Sequence, residues 1–561
     1  MGLEPPPPSP LSSCSPLSSM NVNPSPMDSG LPPKSSLQNL NIEGSVSFSP
    51  SDLAFGASDF GNFIHHQPHA VLRPSTASDV ASTVIYAAET PSLTIAARGN
   101  GHSIAGQAQA RDGLVLDMRS LRGIEVCIGP EESTSYVEAR GGELWIDVLE
   151  ACLKQGYAPP SWPDYLYLTV GGTLQNAGVG GQSFKYGPVI SNVLQLEVVT
   201  GLTSKAISSY NHDLKTGRGE FRTCSPSSNE ELFFAMLGGL GQFGIITKAR
   251  ILIVKAPQKV RWIRMVYAEV ALFIRDQEFL INLQADGGND GFDYIEGFVM
   301  CNNDDPVNGW GQVPFTLSDA ERFDPTLISK TSGPFLYCLE VAKHYTCPRH
   351  VHVEDSMNEI INGLQKSLGY IRGLSFSRDA GYMEFLDRVH AQEKILRDLG
   401  MWQAPHPWLC LFVPRSQVLD LHDHMFLRTN LINGVGGPMH MYPMLRSKWN
   451  GRASIITPEE DIFYLVSILR SNFPPPLGPP AIKLLIENEN LLETLKSKHI
   501  SFKVYMPNFK SKEDCTPHFG ARWKKFIALK ESYDPLHILA PGQSIFSRRK
   551  SHDKRLIADT A

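Results

Sequence analysis

Glycine and proline interrupt this chain along its whole length, with 46 glycines and 41 prolines among 561 residues. In a helix interior, glycine costs about 1 kcal/mol and proline about 3 kcal/mol relative to alanine. Their number argues against a helical bundle or a coiled coil and predicts short helices and strands joined by many turns. The length also exceeds one ordinary core, so we expect a mixed α/β chain of more than one domain.

Charge and cysteine content argue against several classes of protein. Lys and Arg total 51 and Asp and Glu total 57, so the net charge of −6 disfavours nucleic-acid binding through bulk positive charge. No apolar run reaches the roughly 18 residues that cross a bilayer. The nine cysteines contain no CxxC pair, which argues against a disulfide framework. Two clusters, one at Cys347, His350 and His352 and one at histidines 65, 66 and 69, lack zinc-site spacing, so we expect no metal.

The two ends of the chain differ in composition from the rest. Residues 1–40 are rich in proline and serine and lack aromatic side chains, so we expect them to be disordered. They have neither the basic start nor the apolar stretch of a secretory signal, which favours a cytoplasmic protein. The alternative is a secreted protein whose signal peptide is hidden by a wrongly predicted first exon. Residues 547–561 form a basic tail that we expect to be solvated, with an address signal as the alternative.

Hydrophobic periodicity, together with helix caps and turn residues, predicts alternating elements between the two ends. We predict strands at 92–97, 114–118, 136–139, 193–200, 245–254, 292–300, 335–341 and 502–505. We predict helices at 75–89, 143–153, 230–237, 383–399, 458–469 and 523–531.

A dinucleotide fingerprint, Gly239-Leu-Gly241-Gln-Phe-Gly244, occurs in the middle of the chain. A Rossmann fold requires a strand before these glycines and a helix after them. Here a predicted helix precedes the glycines and a β-branched strand follows, so we interpret them as a helix-to-strand turn. No GxxxxGK[ST] motif is present, which argues against a P-loop enzyme.

The predicted strand 92–97 runs into Gly99-Asn100-Gly101-His102-Ser103. Glycines at 99 and 101 allow the backbone amides to point inward, as in a nest that binds a pyrophosphate. A neutral imidazole can also attack the 8-methyl carbon of a flavin and so hold the flavin covalently. A loop histidine that hydrogen-bonds its neighbours fits the motif equally well.

A second glycine-studded segment, 160–182, contains one carboxylate, Asp164. Such a run allows the backbone to approach a large flat ligand, although a turn-rich surface excursion has the same composition. The aromatic neighbours Trp162, Tyr165 and Tyr167 favour a pocket. A carboxylate among them would have a raised pKa and could act as a base or hydrogen-bond acceptor.

Seven motifs, in order between about residues 40 and 546, together resemble the plant cytokinin dehydrogenases (cytokinin oxidases). These are FAD-linked oxidases of the vanillyl-alcohol-oxidase or PCMH type. The motifs are GNGHS, SWPDYLYLTVGGTLQNAG, LGGLGQFGIIT, FDYIEGFV, HPWL, GPMHMYPMLRSKW and DPLHILAPGQSIF. Three features are most like the cytosolic branch of this family: the Asn in GNGHS, the stretch at 305–310 and the missing secretory signal.

The resemblance implies an α+β fold with two domains. A PCMH-type FAD-binding domain would comprise residues 41–250 and 492–546. An inserted cytokinin-binding substrate domain with an antiparallel sheet would comprise residues 251–491. The implied reaction is cleavage of the N6-isoprenoid side chain by hydride transfer to flavin N5, followed by hydrolysis of the imine to adenine and an unsaturated aldehyde.

The resemblance also assigns roles to individual residues. Asp164 would accept a hydrogen bond or the proton from the substrate amine, and Glu296 would hold the adenine ring. His102 would attach FAD covalently. The other implied cofactor contacts are Gly99, Gly101, Ser103, Gln107, Asp164, Thr169, Gln175, Val179, Ile246, Tyr505 and Gln543. The implied partners are N6-substituted adenines and either oxygen or a quinone as electron acceptor, and we expect a monomer.

Several residues depart from the family pattern. Cys410 follows HPWL where Asn is usual, Pro163 stands where Thr is common, and Gln175 replaces a small residue near the flavin. Residues 514–517 replace a tryptophan-containing stretch, and 203–220 resemble an insertion. These departures leave two alternatives open: a related FAD-linked oxidase that acts on a sugar, alcohol or aldonolactone, and a weakly active cytokinin-binding protein.

Overall fold

The computed structural model describes residues 31–201, 221–285, 291–346, 352–472, 479–509 and 512–549. The insertion expected at 203–220, the cluster at Cys347 and His350, and all but the end of the proline-rich segment lie outside these residues. Ordered structure begins earlier than predicted, because a helix spans Lys34–Gln38 and its Leu37 is fully buried. Leu37 packs in the same apolar core as Leu72 and Val80, so the first domain begins before residue 41.

Strands and short helices alternate along the described residues. The strands are β1 (Ser45–Ser47), β2 (Ala70–Arg73), β3 (Ile95–Arg98), β4 (Leu114–Asp117), β5 (Ile124–Cys127), β6 (Tyr136–Arg140), β7 (Tyr157–Ala158), β8 (Val193–Thr200), β9 (Phe221–Cys224), β10 (Gly244–Leu252), β11 (Val254–Lys255), β12 (Lys259–Tyr267), β13 (Tyr294–Cys301), β14 (Phe335–Tyr345), β15 (Ser375–Gly381), β16 (Leu409–Pro414), β17 (Met439–Leu445), β18 (Ile462–Ile468) and β19 (Lys503–Val504). The helices are α1 (Lys34–Gln38), α2 (Pro50–Gly56), α3 (Ala77–Glu89), α4 (Trp145–Leu153), α5 (Val170–Leu174), α6 (Ser183–Tyr186), α7 (Glu230–Met236), α8 (Val270–Ala285), α9 (Leu317–Arg322), α10 (His352–Ser367), α11 (Tyr382–Leu386), α12 (Arg388–Asp398), α13 (Val418–His422), α14 (Ala481–Ser497), α15 (Lys512–Phe519) and α16 (Trp523–Tyr533).

The first domain, which we call the discontinuous domain, comprises the described parts of 31–255 and 505–549. It contains a four-stranded sheet in the order β1-β2-β4-β3 and a five-stranded antiparallel sheet in the order β5-β6-β10-β8-β9. The C-terminal segment returns to this domain, because Leu539 bridges Ile95 of β3 in parallel. The helix α7 precedes the glycine turn and β10 follows it, which confirms the helix-to-strand interpretation.

The inserted domain comprises the described parts of 256–504. Its eight-stranded antiparallel sheet has the order β15-β12-β14-β13-β17-β18-β16-β19. Successive residues of β13 enter different cores. Ile295 belongs to the core that also contains residues of helices α8, α10 and α14, whereas Tyr294 belongs to the core that also contains residues of the discontinuous domain. The predicted α+β fold with two domains is therefore confirmed, and one face of the inserted sheet is placed against the other domain.

Two predicted elements differ from the structure. The helix predicted at 458–469 is wrong: Ile462–Ile468 is strand β18, between β17 and β16, and six of its seven residues are buried. A continuous apolar run has no period that separates a buried strand from a buried helix. The helix predicted at 383–399 is broken at Asp387 into α11 and α12.

The predicted boundary between residues 491 and 492 falls inside α14. Two buried leucines of α14, Leu491 and Leu495, lie in the core of the inserted domain, and β19 pairs with β16 of the sheet in that domain. The chain therefore returns to the discontinuous domain only after Val504. Within the described residues, no helix has both the length and the apolar character needed to span a membrane.

Candidate active site

The loop after β3 depends on two glycines. A Cβ at Gly99 would lie 2.0 Å from Oγ1 of Thr169, and a Cβ at Gly101 would lie 1.9 Å from Nη1 of Arg98. Gly101 also has a φ of +72°, in the region that favours glycine. The loop therefore packs directly against Thr169, the N-cap of α5, and brings the two glycine-rich segments together.

An aspartate that sequence reasoning missed holds this loop in place. Asp59 accepts hydrogen bonds from Oγ of Ser103 at 2.9 Å and from the backbone N of Gly106 at 2.6 Å. Burial raises the pKa of Asp59, and these hydrogen bonds act against that rise. Gln107 accepts from the backbone N of Ala105 at 2.8 Å. Ser103 and Gln107 therefore shape the loop, and nothing in the sequence around Asp59 indicates this contact.

His102 lies between two aromatic rings. Its imidazole stacks on Phe60 at 4.7 Å with 8° between the planes, and on Tyr165 at 4.8 Å with 16°. Burial, and then the charge of Arg98, lowers its pKa to about 3, so the ring is neutral near pH 7. Its Nδ1 lies 3.5 Å from the backbone O of Asn100, at the limit of a hydrogen bond. The structure thus presents a rigidly held, neutral imidazole.

Four buried side chains, two at the loop, one in the segment 160–182 and one near the C-terminus, keep polar atoms without hydrogen-bond partners among the described residues. They are Arg98 (Nε and Nη1), His102 (Nε2), Gln182 (Oε1) and Gln543 (Oε1). Buried polar groups are normally paired, and an unpaired group commonly indicates a missing ligand or water. Together with the glycine cradle, these donors and acceptors fit a large polar cofactor such as FAD.

The remaining predicted cofactor residues lie at three places. Gln543 ends the turn Pro541–Gln543, which packs on the loop because a Cβ at Gly542 would lie 2.1 Å from the O of Gly106. Val179 and Ile246 are buried in the core of the discontinuous domain. Tyr505 donates its backbone N–H to the O of Cys410 at 2.8 Å and stacks on Phe412 at 4.9 Å.

Gln175 has a different environment from the loop residues. Its Oε1 accepts from the backbone N of Gly241 at 2.9 Å, and its Nε2 donates to the O of Gly244 at 3.2 Å. These two hydrogen bonds of Gln175 connect the end of α5 to the glycine turn before β10. No described hydrogen bond joins it to the loop at 99–107.

Asp164 and Glu296 meet where the two domains touch. Burial raises the pKa of Asp164 to about 6, while the charge of Arg388 and a hydrogen bond with Glu296 act to lower it. Burial and the charge of Asp164 raise the pKa of Glu296 well above its usual value. Two buried carboxyl groups that repel each other's charge in this way are disfavoured as a pair of anions, so the pair retains a proton more readily than either group alone. The structure thus unites the two predicted catalytic residues, although 132 positions separate them.

Three further charged residues, all missed by sequence reasoning, surround this pair. On neighbouring strands, Arg264 is the register partner of Glu340, and Glu340 is the register partner of Glu296. Arg388, the first residue of α12, lies 3.5 Å from Glu296, 3.7 Å from Glu340 and 4.0 Å from Asp164. Together with Asp164 and Glu296, these three residues form what we call the carboxylate cluster. They converge through strand register and domain contact, which no local sequence pattern reveals.

Two residues that depart from the family pattern also lie close to the site. Pro163 is buried directly before Asp164. Cys410 is buried on β16, and burial raises the pKa of its thiol to about 12. Neither residue disrupts the cluster.

Family models and sequence relatives match most of the length of this chain. A family model described as "FAD binding domain" matches residues 68–205, and one described as "Cytokinin dehydrogenase 1, FAD and cytokinin binding" matches residues 257–546. The chain is 43% identical over 521 residues to "Cytokinin dehydrogenase 1" of Arabidopsis thaliana, covering 92% of this chain and 84% of the relative. It is 43% identical over 520 residues to "Cytokinin dehydrogenase 9" of Oryza sativa subsp. japonica, covering 92% of both. It is also 44% identical over 513 residues to the rice "Cytokinin dehydrogenase 5", covering 90% and 91%.

Proposed function

The chain belongs to the cytokinin dehydrogenase family, and from this membership we propose that it cleaves the isoprenoid side chain of N6-substituted adenine cytokinins. It would act as an FAD-dependent oxidoreductase on a CH–NH donor. Isopentenyladenine, zeatin and their ribosides would be converted to adenine or its riboside and an unsaturated aldehyde. The observation that carries the proposal is the Asp164–Glu296 pair. Asp164 is followed in sequence by Tyr165, whose ring stacks on His102.

In this proposal Asp164 activates the substrate. Bound FAD would supply the acceptor for the hydride that leaves the carbon beside the amine. The ionised Asp164 accepts a hydrogen bond from the N6–H, which increases electron density on nitrogen and weakens the adjacent C–H bond. We assign the contact with the adenine ring to Glu296, because its carboxyl lies beside Asp164 on the face of β13 that meets the other domain.

We assign covalent attachment of FAD to His102. The lowered pKa of its imidazole, to about 3, keeps the ring in the neutral, nucleophilic form. The stacked rings of Phe60 and Tyr165 fix its orientation, and its Nε2 has no partner among the described residues. Following the sequence analysis, we also take the protein to be a cytoplasmic monomer that passes electrons to oxygen or a quinone.

A visible spectrum of the purified protein tests both parts of the proposal. The flavin band should stay with the protein after acid precipitation, and isopentenyladenine added without oxygen to the native protein should bleach it. The variant His102→Ala should release any bound flavin into the acid supernatant. Release from the wild type would contradict covalent attachment. Retained flavin that is bleached by an alcohol or aldonolactone, but never by isopentenyladenine, would contradict the substrate class.

A further inference from the structure

Arg388 is the cationic group that the inserted domain contributes to the Asp164–Glu296 pair. We propose that Arg388 is a positioning residue that keeps Asp164 ionised and leaves the proton of the pair on Glu296. The inference rests on the proposed role of Asp164 as the acceptor for the substrate amine. It extends that role to a residue that touches neither the substrate nor the cofactor in the proposed mechanism.

The guanidinium of Arg388 is held in one position by several contacts. It donates to the hydroxyl of Tyr294 and lies 5.0 Å from the centre of that ring and 4.9 Å from the ring of Phe385. Only 14% of its side chain is accessible, so its charge acts with little screening by solvent. A cation fixed in this way favours the ionised form of each carboxylate near it.

The charges of the cluster leave one proton to be placed. Glu340 has the closest cationic partner of the three carboxyl groups, since Nε of Arg264 lies 2.7 Å from its Oε2, while its Oε1 lies 3.7 Å from Arg388 and has no hydrogen-bond partner among the described residues. Three carboxylates and two guanidiniums carry one excess negative charge, and a single proton makes the buried cluster neutral. That proton belongs to the Asp164–Glu296 pair.

Burial decides which member of the pair carries the proton. Glu296 is 1% exposed: its Oε2 accepts a long hydrogen bond from Arg388 at 3.5 Å, but its Oε1 is buried without a donor among the described residues and without access to water, so one oxygen of the ionised form is uncompensated. Asp164 keeps 34% of its side chain accessible and can be stabilised as an anion by water or by the substrate amine. With Arg388 present, the favoured arrangement is a protonated Glu296 that donates to an ionised Asp164.

The other titratable groups that face the cluster do not change charge near neutral pH. Burial, and then the charge of Arg388, lowers the pKa of His440 to about 4. Burial raises the pKa values of the phenols and of the thiol far enough to keep them neutral. These groups are Tyr294 on β13, Tyr442 on β17, Cys410 on β16 and Tyr505 beyond β19.

The test compares the pH dependence of kcat/KM for Arg388→Gln and Arg388→Lys. Removing the cation raises the pKa of Asp164. The acid limb, which is the part of the pH profile where kcat/KM falls with decreasing pH, should therefore lie at least about one pH unit higher in Arg388→Gln. The variant should therefore lose at least about fivefold more activity at pH 6 than at pH 8.5, since the wild-type pKa is about 6. Arg388→Lys keeps the charge and should leave the limb within about half a unit of the wild type. An equal loss at every pH, or the same shift in both variants, would overturn the inference.

Arg415→Gln is the matched control. It also removes a guanidinium from a buried carboxylate of the inserted domain, since Arg415 lies 2.8 Å from Glu278. Glu278 is on α8, which packs on the opposite face of the sheet, so the acid limb should not move. Flavin content and melting temperature, measured for every variant, show that loss of folding does not imitate the effect.

An infrared measurement tests the location of the proton without turnover. The ligand-free wild type should show a protonated-carboxyl band whose frequency shifts in Glu296→Asp and stays the same in Asp164→Glu, since both variants keep the number of carboxyl groups in the cluster. In Arg388→Gln the band should grow as Asp164 also takes up a proton. A band that shifts in Asp164→Glu and not in Glu296→Asp would overturn the inference. Full turnover by Asp164→Asn, in contrast, would refute the proposed role of Asp164, whatever the infrared band shows.

Discussion

At the scale of single residues, burial acts in opposite directions on two neighbouring groups. His102 and Asp164 are brought together by Tyr165, which stacks on the first and follows the second in sequence. Burial lowers the pKa of the imidazole to about 3 and raises that of the carboxyl to about 6. Removal from water always favours the neutral form, which is the base for histidine and the acid for aspartate. Burial at two positions linked through Tyr165 thus gives a neutral imidazole and a carboxylate that can take up a proton near pH 6.

We therefore expect the activity with isopentenyladenine to fall in mild acid. Asp164 accepts a hydrogen bond only when ionised, so kcat/KM should fall about tenfold per pH unit below its pKa of about 6 and level off above it. The apparent pKa of this limb belongs to the Asp164–Glu296 pair. Steady-state rates between pH 4.5 and 8.5 measure it, and a rate that stays constant down to pH 5 would contradict the assignment.

Asp164→Asn provides the control for this limb. The amide cannot become an anion, so turnover should fall by at least about a hundredfold and the acid limb should disappear, while the flavin stays attached. Asp147→Asn removes a carboxylate that pairs with Arg122 at the surface of α4, and it should retain both the rate and the limb.

At the scale of elements, local patterns predicted some segments well and others not at all. Strand β8 has the predicted bounds, 193–200, because four of its eight residues are β-branched and it lies between two strands of the same sheet. Strand β18 was predicted as a helix because only its neighbours β17 and β16 make it a strand. His102 and Asp164 lie in motifs that could be recognised. Asp59 and Arg388 act through contacts between distant segments, which sequence patterns do not record.

Helix α16 offers a test of one such contact. Lys530 is fully buried, 2.8 Å from the buried carboxylate of Asp534, and donates to the backbone O of Gln242 at 2.9 Å. Replacing Lys530 by Met would leave Asp534 charged without its cation. The free energy of unfolding should therefore fall by about 3–5 kcal/mol. Urea denaturation measures the loss.

Lys524→Met is the comparison for this variant, because Lys524 is an exposed residue of the same helix. Its unfolding free energy should stay within about 0.5 kcal/mol of the wild type. Equal losses in the two variants would show that the buried ion pair has no special part in stability.

At the scale of the whole molecule, one apolar core crosses the boundary between the domains. It includes Trp145 and Val170 of the discontinuous domain together with Tyr294, Phe385 and Tyr442 of the inserted domain. Neither domain can unfold without exposing the apolar face of the other. The two domains should therefore lose their structure together.

Differential scanning calorimetry of the flavin-loaded protein tests this expectation. We expect one transition in which the calorimetric and van't Hoff enthalpies agree, as in a two-state process. Two resolved transitions, or a van't Hoff enthalpy near half the calorimetric one, would show that the shared core does not couple the domains.

The return of the C-terminal segment also fixes an order of events during translation. Leu539 lies beside β3, and the turn Pro541–Gln543 packs on the loop that carries His102. These residues leave the ribosome only after the whole inserted domain has been made. Domains generally fold as units, the N-terminal one first, as the chain emerges. In this chain the domain that is begun first is completed last, so a nascent chain that stops before Pro541 lacks the turn that packs on the loop carrying His102.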